Sequence, residues 1–266
     1  MVDENQATLT DSDDVPDSEE DLGTYHENNQ LNDLTGKEWI KFTKSWKVYK
    51  PRSRKEDEVE HPAKFPEELV QDFVRFFTKE GDWVLDPFLG TGSTLVGCRS
   101  TGRNGVGIEL NEKYANVAKD KISQQSLQPV ELEVVNGDAF EKLDELDRKF
   151  DYCLTSPPYW DMLSKSRGGV KSNHQKREEE GLDTEYSEKE DDIGNIHDYD
   201  EFLDALEKLF RKVYDLLRED AYLTVVLQNM RDEDGEMKPL AWDVGKRLGE
   251  FYTLKQEKLW LQDDKQ

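Results

Sequence analysis

The stretch DWVLDPFLGTGSTLVGCRSTG, residues 82–102, contains the transition that decides the fold. A short apolar run ends at Asp86, and Gly90 and Gly92 follow before a second apolar run begins. A short apolar run bounded by turn residues is typical of a buried strand. The stretch therefore predicts a strand, a glycine-rich turn and a helix, with backbone N–H groups of the turn open to a ligand.

Strand and helix patterns alternate on both sides of this unit. Upstream, HPAKFPEELVQDFVRFFTKEG (61–81) predicts a helix that starts at Pro66 and ends before Gly81. Further strands are predicted in RNGVGIEL (103–110), VELEVVNGDAF (130–140), FDYCLTSPPYW (150–160), AYLTVVLQN (221–229) and YTLKQEKLWLQ (252–262), with helices between most of them. This order predicts an α/β fold of the Rossmann-like, doubly wound kind, with a mostly parallel sheet and helices on both faces.

Three segments depart from this pattern. Residues 1–36 hold eleven acids and no Lys or Arg, which predicts a disordered acidic tail before a domain at 37–266. Residues 161–197 form a long charged insertion, basic at first and then acidic. Residues 37–55 interleave aromatic side chains with Lys and Arg, which fits either an amphipathic element or a nucleic-acid surface.

Composition limits the classes of function. The net charge of −24 argues against binding of nucleic acid by overall charge, so any such contact depends on local basic segments. No apolar run approaches about 18 residues, so no membrane span is expected. Cys98 and Cys153 are far apart and match no metal-binding spacing, so no metal site is predicted, and reduced cysteines favour a cytoplasmic location.

The motif DPFLGTGST, residues 86–94, has three interpretations. A phosphate-binding P-loop requires Gly-Lys-Ser/Thr, but Gly92 is followed directly by Ser93. A nicotinamide fingerprint requires a Gly-x-Gly-x-x-Gly spacing that these glycines do not have. The third interpretation is a site for S-adenosylmethionine (SAM), with an acid at the end of the strand and glycines at the start of the helix.

Acids at the ends of the next two strands support the SAM interpretation. Glu109 closes the second strand, where a carboxylate can accept hydrogen bonds from ribose hydroxyls, and Asp138 closes the third, where it can accept from an adenine amino group. The predicted cofactor-binding residues of the loop and the strand ends are Asp86, Phe88, Gly90, Gly92, Ser93, Thr94, Glu109 and Asp138.

The chain resembles the amino-methylating DNA methyltransferases in four motifs and in their order along the sequence. The motifs are DPFLGTGST, GIEL, NGDAF and TSPPYW. The resemblance covers roughly residues 37–262 and implies a catalytic domain that uses SAM. The upstream HPAKFP resembles the family element beside the methionine end of SAM, which adds His61 and Lys64 to the expected cofactor site. DNA with a flipped target base is the implied partner, in a restriction–modification setting with a cognate endonuclease or as an orphan enzyme.

The motif TSPPYW, residues 155–160, supplies the expected catalytic residues. An exocyclic amino group is a poor nucleophile, and fixed acceptors for its N–H groups aim its lone pair at the methyl group. The Ser156 hydroxyl and the Pro157 carbonyl are the expected acceptors, and Pro158 keeps that carbonyl rigid. Tyr159 is expected to stack on the base. The expected substrate-binding residues outside this acceptor set are Trp160, Lys165 and Arg167.

Several alternatives remain open at this point. In the family that the chain resembles, Ser at position 156 favours cytosine N4 over adenine N6 as the target. An RNA base methyltransferase and a SAM- or DNA-binding remnant without turnover are the other two readings of the motifs. The family pattern continues with a seventh strand after residue 262, and this chain is expected to lack it. An unpaired sheet edge of that kind predicts poor solubility or a complementing chain.

Overall fold

The computed structural model describes residues 24–49, 66–123, 129–160, 192–232 and 234–261. The strands in these ranges are β1 (Trp46–Val48), β2 (Trp83–Asp86), β3 (Asn104–Glu109), β4 (Leu132–Asn136), β5 (Phe150–Thr155), β6 (Leu217–Val225), β7 (Met230–Arg231), β8 (Met237–Lys238) and β9 (Leu259–Leu261). The helices are α1 (Gly36–Phe42), α2 (Glu67–Phe77), α3 (Ser93–Thr101), α4 (Glu112–Ile122), α5 (Ala139–Glu145), α6 (Tyr199–Leu216) and α7 (Leu240–Leu248).

Five of the strands form one parallel sheet in the order β4-β3-β2-β5-β6. From β2 the chain first adds β3 and β4 on one side of the sheet and then β5 and β6 on the other. The direction of winding therefore reverses between β2 and β5, and the carboxyl ends of strands at such a point leave room for a ligand. The predicted α/β class with a mostly parallel sheet is therefore confirmed. None of the helices in the described ranges has the length and apolar character needed to cross a bilayer.

Both faces of the sheet are covered by helices. Helices α2, α3 and α4 pack on one face, and α5 and α6 pack on the other, where α7 lies against α6. Successive residues of β5 point to opposite faces of the sheet. On the face that α2 covers, Tyr152 packs with Val70 and Val74. Its neighbour Cys153 packs in the cluster that contains Phe202 of α6. Apolar side chains on both faces are what a strand in the middle of an α/β sheet requires.

Helix α2 begins where the sequence predicted, with Pro66 as its N-cap, and ends at Phe77 rather than closer to Gly81. It lies unusually close to α3. A Cβ on Gly97 would be only 2.3 Å from Val70 Cγ1, so glycine is what permits this contact. The close packing of α2 on α3 fixes the helix that follows the glycine-rich turn.

The predicted acidic tail includes residues that are folded. Asn32 is fully buried, and its Nδ2 donates to the Phe76 carbonyl at 2.6 Å. Asp33 lies 3.3 Å from the guanidinium of Arg103, whose side chain is almost fully buried. These contacts join the segment to α2 and to the turn before β3, so the prediction of a disordered tail was wrong for residues 24–36. Residues 1–23 lie outside the described residues.

The aromatic and basic segment packs on α2. The Phe42 ring stacks on Phe76 with centroids 4.0 Å apart, and Trp39 lies 4.9 Å from the same ring. Lys47 pairs with Asp72 of α2. The described part of this segment therefore behaves as a packed amphipathic element, while residues 50–55 lie outside the described residues.

The strand predicted in YTLKQEKLWLQ differs from the observed one. Only Leu259–Leu261 is extended, and it pairs in parallel with Trp46–Val48 rather than with the central sheet. The prediction of a sixth strand in the main sheet was therefore wrong. In the described residues, β6 pairs only with β5, so its other side is an open edge.

Candidate active site

A cavity lies at the carboxyl ends of β2, β3, β4 and β5. Its wall is built from residues 87–91 and Ser93 of the glycine-rich turn, Glu109, residues 137–140, residues 156–158, and Asp192. These segments meet because the carboxyl ends of parallel strands share one edge of the sheet. The predicted grouping of the four strand ends is therefore what the structure has.

The glycine-rich turn needs its glycines for its own backbone. Gly90 and Gly92 have φ of 56° and 89°, in the left-handed region that side chains disfavour. Gly92 is also the N-cap of α3, and a Cβ there would lie 2.9 Å from the Cβ of Ala118 in α4. Gly90 and Ser93 line the cavity, whereas Gly92 and Thr94 lie behind it.

Asp86 lies beneath this turn. It is 1% exposed, its Oδ1 accepts from Thr155 Oγ1 at 2.7 Å and from the Phe88 N–H at 3.0 Å, and its Oδ2 accepts from Thr94 Oγ1 at 2.6 Å. Burial raises the pKa of Asp86 to about 6, against the lowering effect of these three donors. Asp86 thus holds the turn to the ends of β2 and β5, and its direct contact with a cofactor stays a prediction.

Glu109 reaches across to the turn from the end of β3. Its Oε2 accepts from the Gly90 N–H at 2.7 Å, and its Oε1 accepts from the Asn111 N–H at 2.8 Å. Burial, with smaller contributions from the charges of Asp86 and Asp192, raises the pKa of Glu109 to about 7 against the lowering effect of these two donors. The carboxylate lines the cavity with free lone pairs, as acceptance from hydroxyl groups requires.

Asp138 lines the cavity at the end of β4 and is the N-cap of α5. Its Oδ1 accepts from the Phe140 N–H at 2.6 Å, so the capping bond uses one of the two carboxylate oxygens. Phe140 and Phe88 line the same cavity and add apolar surface. A carboxylate beside aromatic and aliphatic walls suits a flat heterocycle that carries an amino group.

The Ser-Pro-Pro-Tyr segment leaves the end of β5 at the cavity. The Ser156 hydroxyl donates to the Val226 carbonyl at 3.0 Å and lies 3.3 Å from the Tyr159 hydroxyl. Because its proton points to Val226, the lone pairs of the Ser156 oxygen are available to accept. Ser156, Pro157 and Pro158 line the cavity, so the predicted acceptors stand beside the predicted cofactor residues.

Tyr159 and Trp160 occupy different surroundings. Tyr159 lines a second depression, a groove that also borders β6 and β9. Burial raises the pKa of the Tyr159 hydroxyl, so this hydroxyl stays protonated. Trp160 is 8% exposed, its Nε1 donates to the His197 carbonyl at 3.0 Å, and its ring meets Tyr199 edge-on. Trp160 therefore fastens the segment to the core, and contact of either ring with a base stays a prediction.

Four predicted site residues cannot be placed. His61, Lys64, Lys165 and Arg167 lie outside the described residues. Two residues that belong to the site were not predicted from the sequence. Thr155 has a hydroxyl that binds Asp86, which its position next to Ser156 could have suggested. Asp192 lines the cavity, although it closes an acidic run that resembles a solvated surface.

A parallel α/β sheet with a glycine turn and acids at its carboxyl ends defines a nucleotide-type cofactor site. Residues 9–120 match the model of a family described as DNA methylase. The chain is 38% identical over 91 residues to the type II methyltransferase M.BglI of Bacillus subtilis, covering 34% of this chain and 26% of that protein. It is 32% identical over 97 residues to the type II methyltransferase M.HpaI of Haemophilus parainfluenzae, covering 36% and 27%.

Among solved structures, the chain is similar to a methyltransferase from Pyrococcus furiosus, with 15% identity and a TM-score of 0.44 over 74% of this chain and 79% of that one. The sequence matches confirm the resemblance to the DNA amino-methyltransferases over the part of the chain that they cover. The alignments span about a quarter of the length of these curated relatives.

The resemblance to these methyltransferases implies SAM as the cofactor, and the residues of the cavity fit it. The carboxylates of Glu109, Asp138 and Asp192 line the cavity, and no Lys, Arg or His is among its described lining residues. SAM carries a sulfonium cation and an ammonium group against one carboxylate, so it is a cation overall. Apolar walls from Leu89 and Phe140 suit its adenine.

Proposed function

We propose that the chain transfers a methyl group from SAM to the exocyclic N4 amino group of cytosine in DNA. The observation that carries this proposal is the position of Ser156 in the cavity wall, with its hydroxyl proton directed to the Val226 carbonyl. A fixed acceptor at that point serves a reaction in which an amino group must present its lone pair to a methyl donor.

In this proposal each residue of the segment has a distinct task. Ser156 Oγ and the Pro157 carbonyl accept the two N–H groups of the target amine, which concentrates electron density on its nitrogen. Pro158 fixes the angle of the carbonyl before it. The methylated nitrogen would release one proton to solvent, and SAM, when bound, would supply the methyl group.

The choice of cytosine rests on the Ser at position 156 and on the family resemblance. Adenine N6 is the second candidate, because a serine oxygen can accept from either amino group. Incubation of the protein with SAM and duplex DNA of mixed sequence, followed by mass analysis of the nucleosides, separates the candidates. N4-methylcytosine supports the proposal, N6-methyladenine reverses the base, and transfer only to RNA makes the protein an RNA methyltransferase.

The Ser156→Ala variant tests the mechanism. Loss of one fixed acceptor should lower turnover by about 100-fold to 1000-fold while SAM affinity is unchanged. The exposed Ser123 of the α4 C-cap supplies a matched control, and Ser123→Ala should leave both quantities unchanged. Equal turnover in wild type and Ser156→Ala would refute the role of Ser156. SAM binding with no transfer in the wild type would favour a remnant without turnover.

We further propose that a strand of a complementing chain docks along β6. Among the residues that the structure describes, β6 has a neighbour on one side only, and its apolar residues lie on both faces, which is the pattern of a strand with neighbours on both sides. A groove beside this edge holds six of the large exposed hydrophobic side chains: Trp46, Tyr214, Trp242, Leu254, Leu259 and Leu261. Exposed apolar clusters of this kind mark protein interaction sites.

Gel filtration tests this partner. The protein alone should self-associate or precipitate, and the Trp242→Ser and Leu259→Ser changes should reduce that tendency. The Met237→Ser change removes an equally exposed hydrophobic side chain that does not line the groove, so it should have no effect. A monodisperse wild-type monomer would count against the docking proposal.

Two further assignments follow from the proposed activity. The type II relatives suggest that a cognate restriction endonuclease recognises the same DNA site, which a search for matching cleavage activity in the source cells would test. A DNA substrate and two free, buried cysteines favour a cytoplasmic location, which fractionation would test.

A further inference from the structure

Asp192 belongs to the cavity wall although it is remote in sequence from the motifs of the site. It immediately precedes the short 3-10 turn Ile193–Asn195, and its Oδ1 accepts from the Gly194 N–H at 2.9 Å. The residue is 6% exposed and lines the cavity together with Ile193. Ile193 is buried in the main core cluster, and its turn contacts α6, so the turn is anchored to the folded core.

The position of Asp192 gives the cavity a second buried carboxylate close to Glu109. The charge of Asp192 is one of the influences that raise the pKa of Glu109. Asp138 is the third acid in the wall, and the described lining residues include no cationic side chain. Carboxylates gathered in a partly buried space repel one another, so the unliganded site is electrostatically unfavourable.

A cationic ligand removes that penalty, and the two forms of the cofactor differ in this property. In methyl transfer the S–CH3 bond breaks, its electron pair stays on sulfur, and the sulfonium becomes a neutral thioether. The nitrogen of the acceptor forms the new N–CH3 bond and releases a proton to solvent. The cofactor therefore enters with a net positive charge and leaves as a product with none.

We propose that Asp192 is a further cofactor-binding residue which, with Glu109, makes the cavity prefer cationic SAM to S-adenosylhomocysteine. The inference rests on the proposed function, because it takes SAM as the occupant of the cavity. Its consequence is that the charge of the wall promotes exchange of spent product for fresh cofactor after each transfer.

The Asp192→Asn variant isolates the charge. The Asn Oδ1 can still accept from the Gly194 N–H, so the turn keeps its cap while the carboxylate charge is lost. Calorimetric titration should show a loss of SAM affinity on the order of 10-fold, as one partly buried unit charge removed from the vicinity of a cation predicts. The affinity for S-adenosylhomocysteine should change less than about 2-fold. Asp198→Asn, at the exposed N-cap of α6, should change neither affinity.

The outcomes separate this inference from the proposed reaction. Equal losses for both ligands, or no loss for either, would overturn it, as would a wild-type chain that does not bind SAM. If Asp192→Asn fails to fold, the wild-type ratio of the two affinities serves instead. That ratio should fall as salt is raised, and a salt-independent ratio would overturn the inference. A charge preference in a protein that methylates no DNA would refute the proposed function alone.

Discussion

Replacement of Gly92 by alanine should destabilise the protein for two distinct reasons, a left-handed backbone conformation and a steric overlap. The residue has φ of 89°, and a Cβ would lie 2.9 Å from the Cβ and 3.1 Å from the Cα of Ala118. The left-handed conformation costs an alanine about 1–2 kcal/mol. The overlap involves the backbone of α4, which cannot rotate away, and overpacking of this kind costs about 1–3 kcal/mol. We expect Gly92→Ala to lower the free energy of unfolding by about 2–5 kcal/mol.

Two other glycines serve as controls for these contributions. Gly81 has φ of 84° but nothing within 4 Å of an added Cβ, so Gly81→Ala should show the conformational cost alone, about 1–2 kcal/mol. Gly245 lies within α7, also with open space around it. Gly245→Ala should stabilise the protein by about 0.5–1 kcal/mol, because alanine is the better helix former.

Urea unfolding followed by tryptophan fluorescence measures all three variants under one set of conditions. The difference between Gly92→Ala and Gly81→Ala then gives the steric cost of bringing α4 against the turn. If Gly92→Ala costs no more than Gly81→Ala, the close approach of α3 and α4 is not a constraint on residue 92. The explanation of that glycine by packing would then be refuted.

Three further predictions concern the carboxylates and the acceptor. The pKa of Glu109 is raised to about 7, so between pH 4.5 and 7 the folded chain holds a proton that the unfolded chain has released. Stability should therefore fall as pH rises through this window, and Glu109→Gln should remove that part of the dependence in urea titrations at several pH values. Thr155→Val removes a donor to the buried Asp86, so it should raise the Asp86 pKa above about 6 and cost about 1–3 kcal/mol at neutral pH; unchanged stability would contradict this. Val226→Pro removes an N–H that binds the Thr155 carbonyl and should displace the carbonyl that receives the Ser156 proton. Turnover should then fall with SAM affinity retained, whereas Val226→Ala, which keeps both backbone groups, should be nearly neutral.

The sequence was sufficient to predict the fold class and the place of the cavity. Alternating strand and helix patterns allow few arrangements other than a parallel sheet with helices on both faces. Once that sheet is assumed, its geometry brings the ends of β2, β3, β4 and β5 to one edge. Glu109, Asp138 and Ser156 could therefore be grouped without knowledge of any contact, because each immediately follows or closes an apolar run.

Features that depend on distant partners could not be predicted in this way. The apolar residues of β9 have a strand pattern, but no local pattern states that the partner is β1 instead of the central sheet. Trp160 closes the TSPPYW motif and was expected to bind substrate, and no local pattern states that its ring packs edge-on against Tyr199 of α6. Asp192 closes an acidic run, and no local pattern states that the next residue, Ile193, is buried in the core and that its turn contacts α6.

The acceptor in the cavity and the open edge of the sheet are connected through one strand. Val226, directly after β6, donates its N–H to the Thr155 carbonyl and accepts the Ser156 hydroxyl with its own carbonyl. The direction of the Ser156 lone pairs therefore depends on the position of β6, which is held on one side only in the described residues. An edge strand is less constrained than a central one, because half of its ladder groups have no fixed partner. A strand docked along β6 would therefore fix the acceptor as well as cover apolar surface, so a complementing chain should raise turnover more than it raises SAM affinity.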